Sequence, residues 1–106
     1  IYNFENFIDL KLKYFIENEK KKEERIVLWG AGKKGKTLAK KLINKKQSFY
    51  WITENIKKIN KEIYDVKIED TLLLEQKFKK LIICCISDPL FKIPSNNKMN
   101  RFISFY

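Results

Sequence analysis

Arg25-Ile-Val-Leu-Trp-Gly-Ala-Gly-Lys-Lys-Gly-Lys-Thr-Leu-Ala-Lys-Lys-Leu42 holds every glycine of the chain, at Gly30, Gly32 and Gly35. Ahead of them Ile26, Val27, Leu28 and Trp29 form an apolar, partly β-branched run that reads as a strand. Behind them Leu38, Ala39, Leu42 and Ile43 recur at helical spacing, which predicts a helix over residues 34–46. In a strand, turn and helix of this kind each glycine has its own task. The first permits a sharp reversal, the second lets a phosphate approach the backbone, and the third lets the helix pack closely on its strand. The helix N-terminus then offers N–H groups and partial positive charge to an anion. On this reading a phosphate rests on the amides of Gly32 to Gly35, with Ala31 inside the turn and Lys33 or Lys34 adding charge. A turn that merely needs its glycines, with nothing bound, is the alternative.

Working outward toward the C-terminus, Ser48 to Thr53 is aromatic and β-branched and reads as a second strand. An acidic residue about 20 positions beyond the glycines accepts hydrogen bonds from ribose hydroxyls in dinucleotide folds. Glu54 is the candidate for that role, although Thr53 occupies the better-aligned position; an exposed loop carboxylate is the alternative. Lys57, Lys58 and Lys61, interleaved with Ile56, Ile59 and Ile63, suit either an extra phosphate on the ribose or an ordinary lysine-rich surface. Val66 and Ile68 flank Lys67 in a short alternating strand, and Leu72 to Lys77 reads as a brief helix. Leu81 to Ile86 is the most apolar strand, which predicts cover on both faces, as in a parallel sheet between helices.

Within it Cys84 and Cys85 are adjacent, so their side chains point to opposite faces and form no relaxed disulfide. Ser87 and Asp88 follow at the carboxyl end of this strand, where open α/β sheets bind ligands. Ser87 is a candidate contact. Asp88 either touches a sugar or nicotinamide or starts the turn at Pro89. Pro94 and Ser95-Asn96-Asn97 predict a loop in place of the next long helix, and Phe102 to Tyr106 a final edge strand.

Toward the N-terminus, Phe4, Phe7, Ile8, Leu12, Phe15 and Ile16 make one apolar stripe on a helix. This helix is expected to pack on its own sheet, with a homodimer through it as the alternative. Lys20 to Glu24 form a charged connector. The division is therefore residues 1–24, helix and connector, and residues 25–106, the main domain.

Composition bounds the function. A chain of 106 residues is one domain, and 44% hydrophobic residues can build a core. The formal charge of +10 invites a nucleic-acid reading, yet of 23 cationic residues only Arg25 and Arg101 are arginine. Specific phosphate and base recognition favours the forked guanidinium, and scattered lysines read as a solvated surface, so nucleic acid is not the expected partner. The chain has no histidine, which removes the usual general base and the commonest metal ligand. No apolar run reaches the ~20 residues of a membrane span and none resembles a secretion signal, so a cytoplasmic location is expected. Ile1 in place of an initiating Met points to a longer parent protein.

From Arg25 to about Ser87 the chain resembles the small Rossmann-like domains of bacterial surface-polysaccharide biosynthesis, attached to glycosyltransferases or forming the N-terminal domain of PglD-like sugar acyltransferases. Those domains open with a strand and W/Y-G-A-G-x-x-G-K, matched by Trp29 to Lys36. A second strand ending in an acidic loop, an Asn and lysines follow, matched by Ile52-Thr53-Glu54-Asn55-Ile56-Lys57-Lys58-Ile59, and then by Ile63 to Asp70. Thr53 stands where the family carries an Asp. The resemblance implies a nucleotide or nucleotide-sugar cradle at the glycine turn, without the acyltransferase domain. The expected fold is α/β, a small Rossmann-like three-layer parallel sheet of about four to five strands with an extra N-terminal helix. The expected role is an accessory domain binding NAD(P), a nucleotide or a nucleotide-sugar, with no catalysis of its own and a transferase as parent. A ligand-free interaction module with a basic surface, or a minimal NAD(P)-dependent oxidoreductase fragment, are the alternatives.

Overall fold

In a computed structural model that describes residues 4–86 and 90–104, the chain opens with α1 (Phe4–Tyr14), β1 (Arg25–Trp29), α2 (Lys33–Asn44) and β2 (Phe49–Ile52). It continues with β3 (Glu62–Ile63), β4 (Val66–Glu69), β5 (Lys80–Cys84) and β6 (Asn100–Ser104). The strands form one mixed sheet in the order β3-β4-β2-β1-β5-β6. Every pairing is parallel except β3 with β4. β1 is central because it is apolar on both faces: Ile26 and Leu28 point to one side, Val27 and Trp29 to the other.

Both helices lie on the first of these faces. Leu38, Ala39 and Leu42 of α2 and Ile8 and Leu12 of α1 bury against Ile26, Leu28, Trp51, Ile68 and Ile83. Of the N-terminal apolar stripe, Ile8, Leu12, Phe15 and Ile16 thus pack against their own sheet; the side chains of Phe4 and Phe7 lie outside the described residues. Beyond α1 the helix widens into a π-helical turn, Phe15–Glu19, and ends where the amide of Lys20 donates to the carbonyl of Phe15.

The second face corrects two expectations. The sheet has six strands, and among the described residues its other cover is not a layer of α-helices but the 3-10 turn Thr71–Glu75, which buries Leu73, together with Leu74, Phe78, Ile86 and Phe91. Local hydrogen bonds explain why no helix forms there. Asp70 Oδ1 accepts from the Leu72 amide and caps a turn only five residues long. Asn97 Oδ1 takes the amides of Met99 and Asn100, and Asn96 Oδ1 that of Phe102, so side chains supply the partners a helix would need.

The additional strand, β3, returns from β4 through a hairpin whose two central residues, Tyr64 (φ 53°) and Asp65 (φ 63°), are both left-handed. Tight two-residue hairpins require that backbone. Tyr64 compensates by stacking on Trp51, ring centroids 6.4 Å apart.

Lys80 opens β5 with a side chain that is 0% exposed. Its ammonium donates to the carbonyls of Gln76 (2.5 Å) and Phe78 (2.8 Å) and to Asn100 Oδ1 (3.1 Å). Burial holds its pKa below the usual lysine value. The bonds tie the 3-10 turn to β6, and Lys80→Met leaves buried acceptors without a donor. That change is expected to cost about 1–3 kcal/mol, read as a lower urea midpoint at unchanged slope. A midpoint equal to that of the unmodified protein would show that the three bonds contribute nothing net.

Candidate functional site

Gly30 ends β1 at φ +125°, a backbone that side-chain-bearing residues rarely adopt. A Cβ there would come within 2.9 Å of the Cys85 carbonyl oxygen. Its amide donates to Ile52 (2.9 Å), and its carbonyl accepts the buried indole N–H of Trp51 (2.7 Å). Gly35, in the first turn of α2, packs directly on that same carbonyl; a Cβ would lie 2.8 Å from the Gly30 carbonyl carbon. The first and third glycines therefore serve the reversal and the helix–strand contact, as their spacing predicts.

Gly32 is different. It is the N-cap of α2 with extended φ −83°, ψ −162°, and a Cβ there would meet nothing within 4 Å. It faces a cavity of about 270 Å³ lined by Trp29, Gly30, Ala31, Gly32, Thr53, Glu54, Asn55, Cys85 and Ile86. The cavity sits over the carboxyl ends of β1, β2 and β5, where neighbouring strands diverge to either side of β1. The intrahelical ladder of α2 starts with Lys36 donating to Gly32 (2.9 Å), so the preceding amides lie outside it. Lys33, Lys34 and Lys36 occupy this first turn, and no acidic residue of the helix shares it. Cations there oppose the positive end of the helix dipole.

Of the residues expected at the site, Gly30, Ala31, Gly32, Thr53 and Glu54 line the cavity, while Lys33, Lys34 and Gly35 stand in the adjoining helical turn without lining it. Thr53 is 5% exposed and its hydroxyl oxygen accepts the Asn55 amide (3.1 Å), which sets the turn after β2. Glu54 is exposed. Ser87 and Asp88 lie outside the described residues. Asn55, Cys85 and Ile86 were not picked out from the sequence. Neither was Trp51, whose signal was available, since a buried indole N–H needs an acceptor.

Cys84 and Cys85 are free, buried and on opposite faces. Burial pushes the Cys84 thiol up to about 11 and raises that of Cys85 further, so neither supplies a thiolate near neutral pH. Among the described residues no group of His, Cys, Asp and Glu side chains forms a metal site. No helix of the described residues is long and apolar enough to cross a membrane.

A larger cleft, about 520 Å³, lies at the opposite end of the sheet between Lys20, Lys22, Arg25, Gln47 and Tyr50. Size does not decide between the two. Open parallel sheets place ligands at the carboxyl ends of their strands, and only the smaller cavity borders a helix N-terminus.

No protein-family model matches the chain, and no curated protein or solved structure does so significantly.

Proposed function

We propose that the chain is a Rossmann-like domain that binds a phosphorylated nucleotide ligand, a nucleotide, nucleotide-sugar or NAD(P), at the cavity beside Gly32. It serves as an accessory domain of a carbohydrate-biosynthesis protein and is not itself a catalyst. The observation that carries the reading is Gly32. Gly30 and Gly35 are explained by contacts within the chain, but nothing among the described residues requires a glycine at Gly32, and a phosphate drawn close to the backbone does. The parallel strands support it. Without the β3 hairpin their order is β4-β2-β1-β5-β6, which in order of appearance is 3-2-1-4-5, that of a dinucleotide-binding sheet with its ligand crevice between β1 and β5. The lysine-rich first turn of α2 also supports it, since an anion there offsets charge that otherwise destabilises the helix.

Titration of the domain with NAD, NADP, UDP and UDP-sugars is expected to raise the melting temperature with at least one of them. In Gly32→Val, whose side chain fills the approach to the amides, the response is expected to vanish while the far-UV spectrum stays the same. Absence of any thermal shift across the panel would count decisively against the reading.

A further inference from the structure

Lys58 comes from the loop after β2, 27 positions beyond Ala31 in sequence, yet its ammonium donates to the Ala31 carbonyl at 2.6 Å. The loop that delivers it is fixed at both ends. Asn55 accepts the Lys58 amide through its carbonyl (2.9 Å) and the Lys57 amide through its side chain (3.1 Å). Asn60, in left-handed backbone at φ 69°, donates to Ile68 (2.7 Å), and Ile68 donates back to Lys61 (2.8 Å), which pins the loop to β4. Lys57 and Lys61, by contrast, are exposed.

An ammonium carries three donors. Among the described residues Lys58 spends one, on a neutral carbonyl, and has no carboxylate partner. Lys58 is not itself a lining residue, but Ala31 lines the cavity and directly precedes the N-cap of α2, so the ammonium is bonded to the residue next to the helix amides. A second group there also wants an acceptor. The indole N–H of Trp29, a lining residue only 5% exposed, has none among the described residues.

We propose that Lys58 is the specificity-determining cation of this cavity, bonding the phosphate of a nucleotide and so selecting phosphorylated ligands over the free nucleoside. The proposal rests on the nucleotide reading above. Lys33 stands on an exposed helix turn, whereas Lys58 is held in place by its loop. Its bond to the carbonyl of Ala31, a lining residue, fixes the ammonium beside the cavity wall and leaves two donors for phosphate oxygens.

The test uses calorimetric titration of uridine, UMP and UDP, and of adenosine, AMP and ADP, into the unmodified protein, Lys58→Met and Lys58→Arg. Lys58→Met is expected to weaken the best nucleotide about 10-fold or more and to change nucleoside affinity less than about 2-fold, because only a charge-assisted bond to phosphate is lost. The nucleotide effect shrinks in 0.5 M salt, and Lys58→Arg restores most of the affinity. If Lys58→Met lowers the melting temperature and weakens nucleoside and nucleotide alike, Lys58 is only a staple between loop and turn and the proposal is wrong. If the unmodified protein binds nucleotides and Lys58→Met binds them equally well, the proposal falls while the nucleotide reading stands. If the unmodified protein binds none of the six, nor NAD, NADP or a UDP-sugar, both fall together.

Discussion

Gly35→Ala is expected to destabilise the domain by about 3 kcal/mol or more, lowering its melting temperature by more than ~10 °C. Propensity alone argues for the opposite outcome, because alanine inside a helix is favoured over glycine by about 1 kcal/mol. The steric term wins because the new methyl group would meet the Gly30 backbone, 2.8 Å from its carbonyl carbon. That carbonyl cannot retreat cheaply. It is held by Trp51 Nε1 at 2.7 Å, and Gly30 is fixed at φ +125° between β2 and Cys85. The first turn of α2 must therefore lift from the sheet, which exposes Leu38 and Leu42, both fully buried.

Gly32→Ala provides the contrast within the same three-glycine motif. Its Cβ meets nothing, its backbone suits any residue, and the small loss of N-cap preference is offset by lower unfolded-state entropy. Its melting temperature is expected within a few degrees of the unmodified protein. Thermal melts followed by circular dichroism decide the matter: a Gly35→Ala protein that melts within about 2 °C of the unmodified one would overturn this account of the turn.

The same motif shows how far residues alone carry. The order strand, turn and helix around Gly30–Gly35 was readable because a β-branched run, three glycines and a 3.6-residue period coincide. The packing of α1 on its own sheet was readable for a similar reason, since Ile8 and Leu12 recur at helical spacing. The mixed α/β class followed from these elements. The β3–β4 hairpin was not readable. Its left-handed central residues are Tyr64 and Asp65, where turn chemistry favours Asn-Gly, and the strain is offset by a contact with Trp51 that no local pattern reveals. The missing second helical layer was only half readable: Pro94 and the asparagines indicated a loop, but not that Phe91 would seat on Trp29 with ring centroids 5.2 Å apart and close the sheet. That Gly30, Gly32 and Glu54 would stand together at the strand ends was readable by spacing, and all three line the cavity. That Lys58, of three similar lysines, is the one bonded to Ala31 depends on where the loop after β2 folds back.

Long-range charge pairing was equally hidden, and it leads to the other large expected effect. Arg101→Met is expected to cost about 2–4 kcal/mol at pH 7 and much less below pH 4. Glu24, in the connector ahead of β1, is only 6% exposed, and Arg101 on the edge strand grips it with two bonds, Nε to Oε2 at 3.0 Å and Nη2 to Oε1 at 2.7 Å. The Lys21 amide adds a third, to Oε1 at 2.8 Å. Removing the guanidinium strands a buried carboxylate, which costs far more than breaking an exposed pair such as Lys79–Glu23.

The pH dependence follows from the carboxyl itself. Burial by itself would raise its pKa, but the bonds from Arg101 and Lys21 outweigh burial and hold it below the usual value near 4.5. A depressed folded-state pKa contributes stability that is present in full above the unfolded value and lost as pH falls through the folded one. In Arg101→Met the same carboxyl keeps its burial and loses its partner, so it takes up a proton at higher pH and the two proteins converge in acid. Urea unfolding at pH 7 and at pH 3.5 measures the convergence. A gap as wide at pH 3.5 as at pH 7 would mean that Arg101 stabilises the edge strand through packing of its stem and not through the charge it shares with Glu24. The double variant Glu24→Gln with Arg101→Met separates the same two possibilities at neutral pH, since a true pair makes the second change cost less than it does alone.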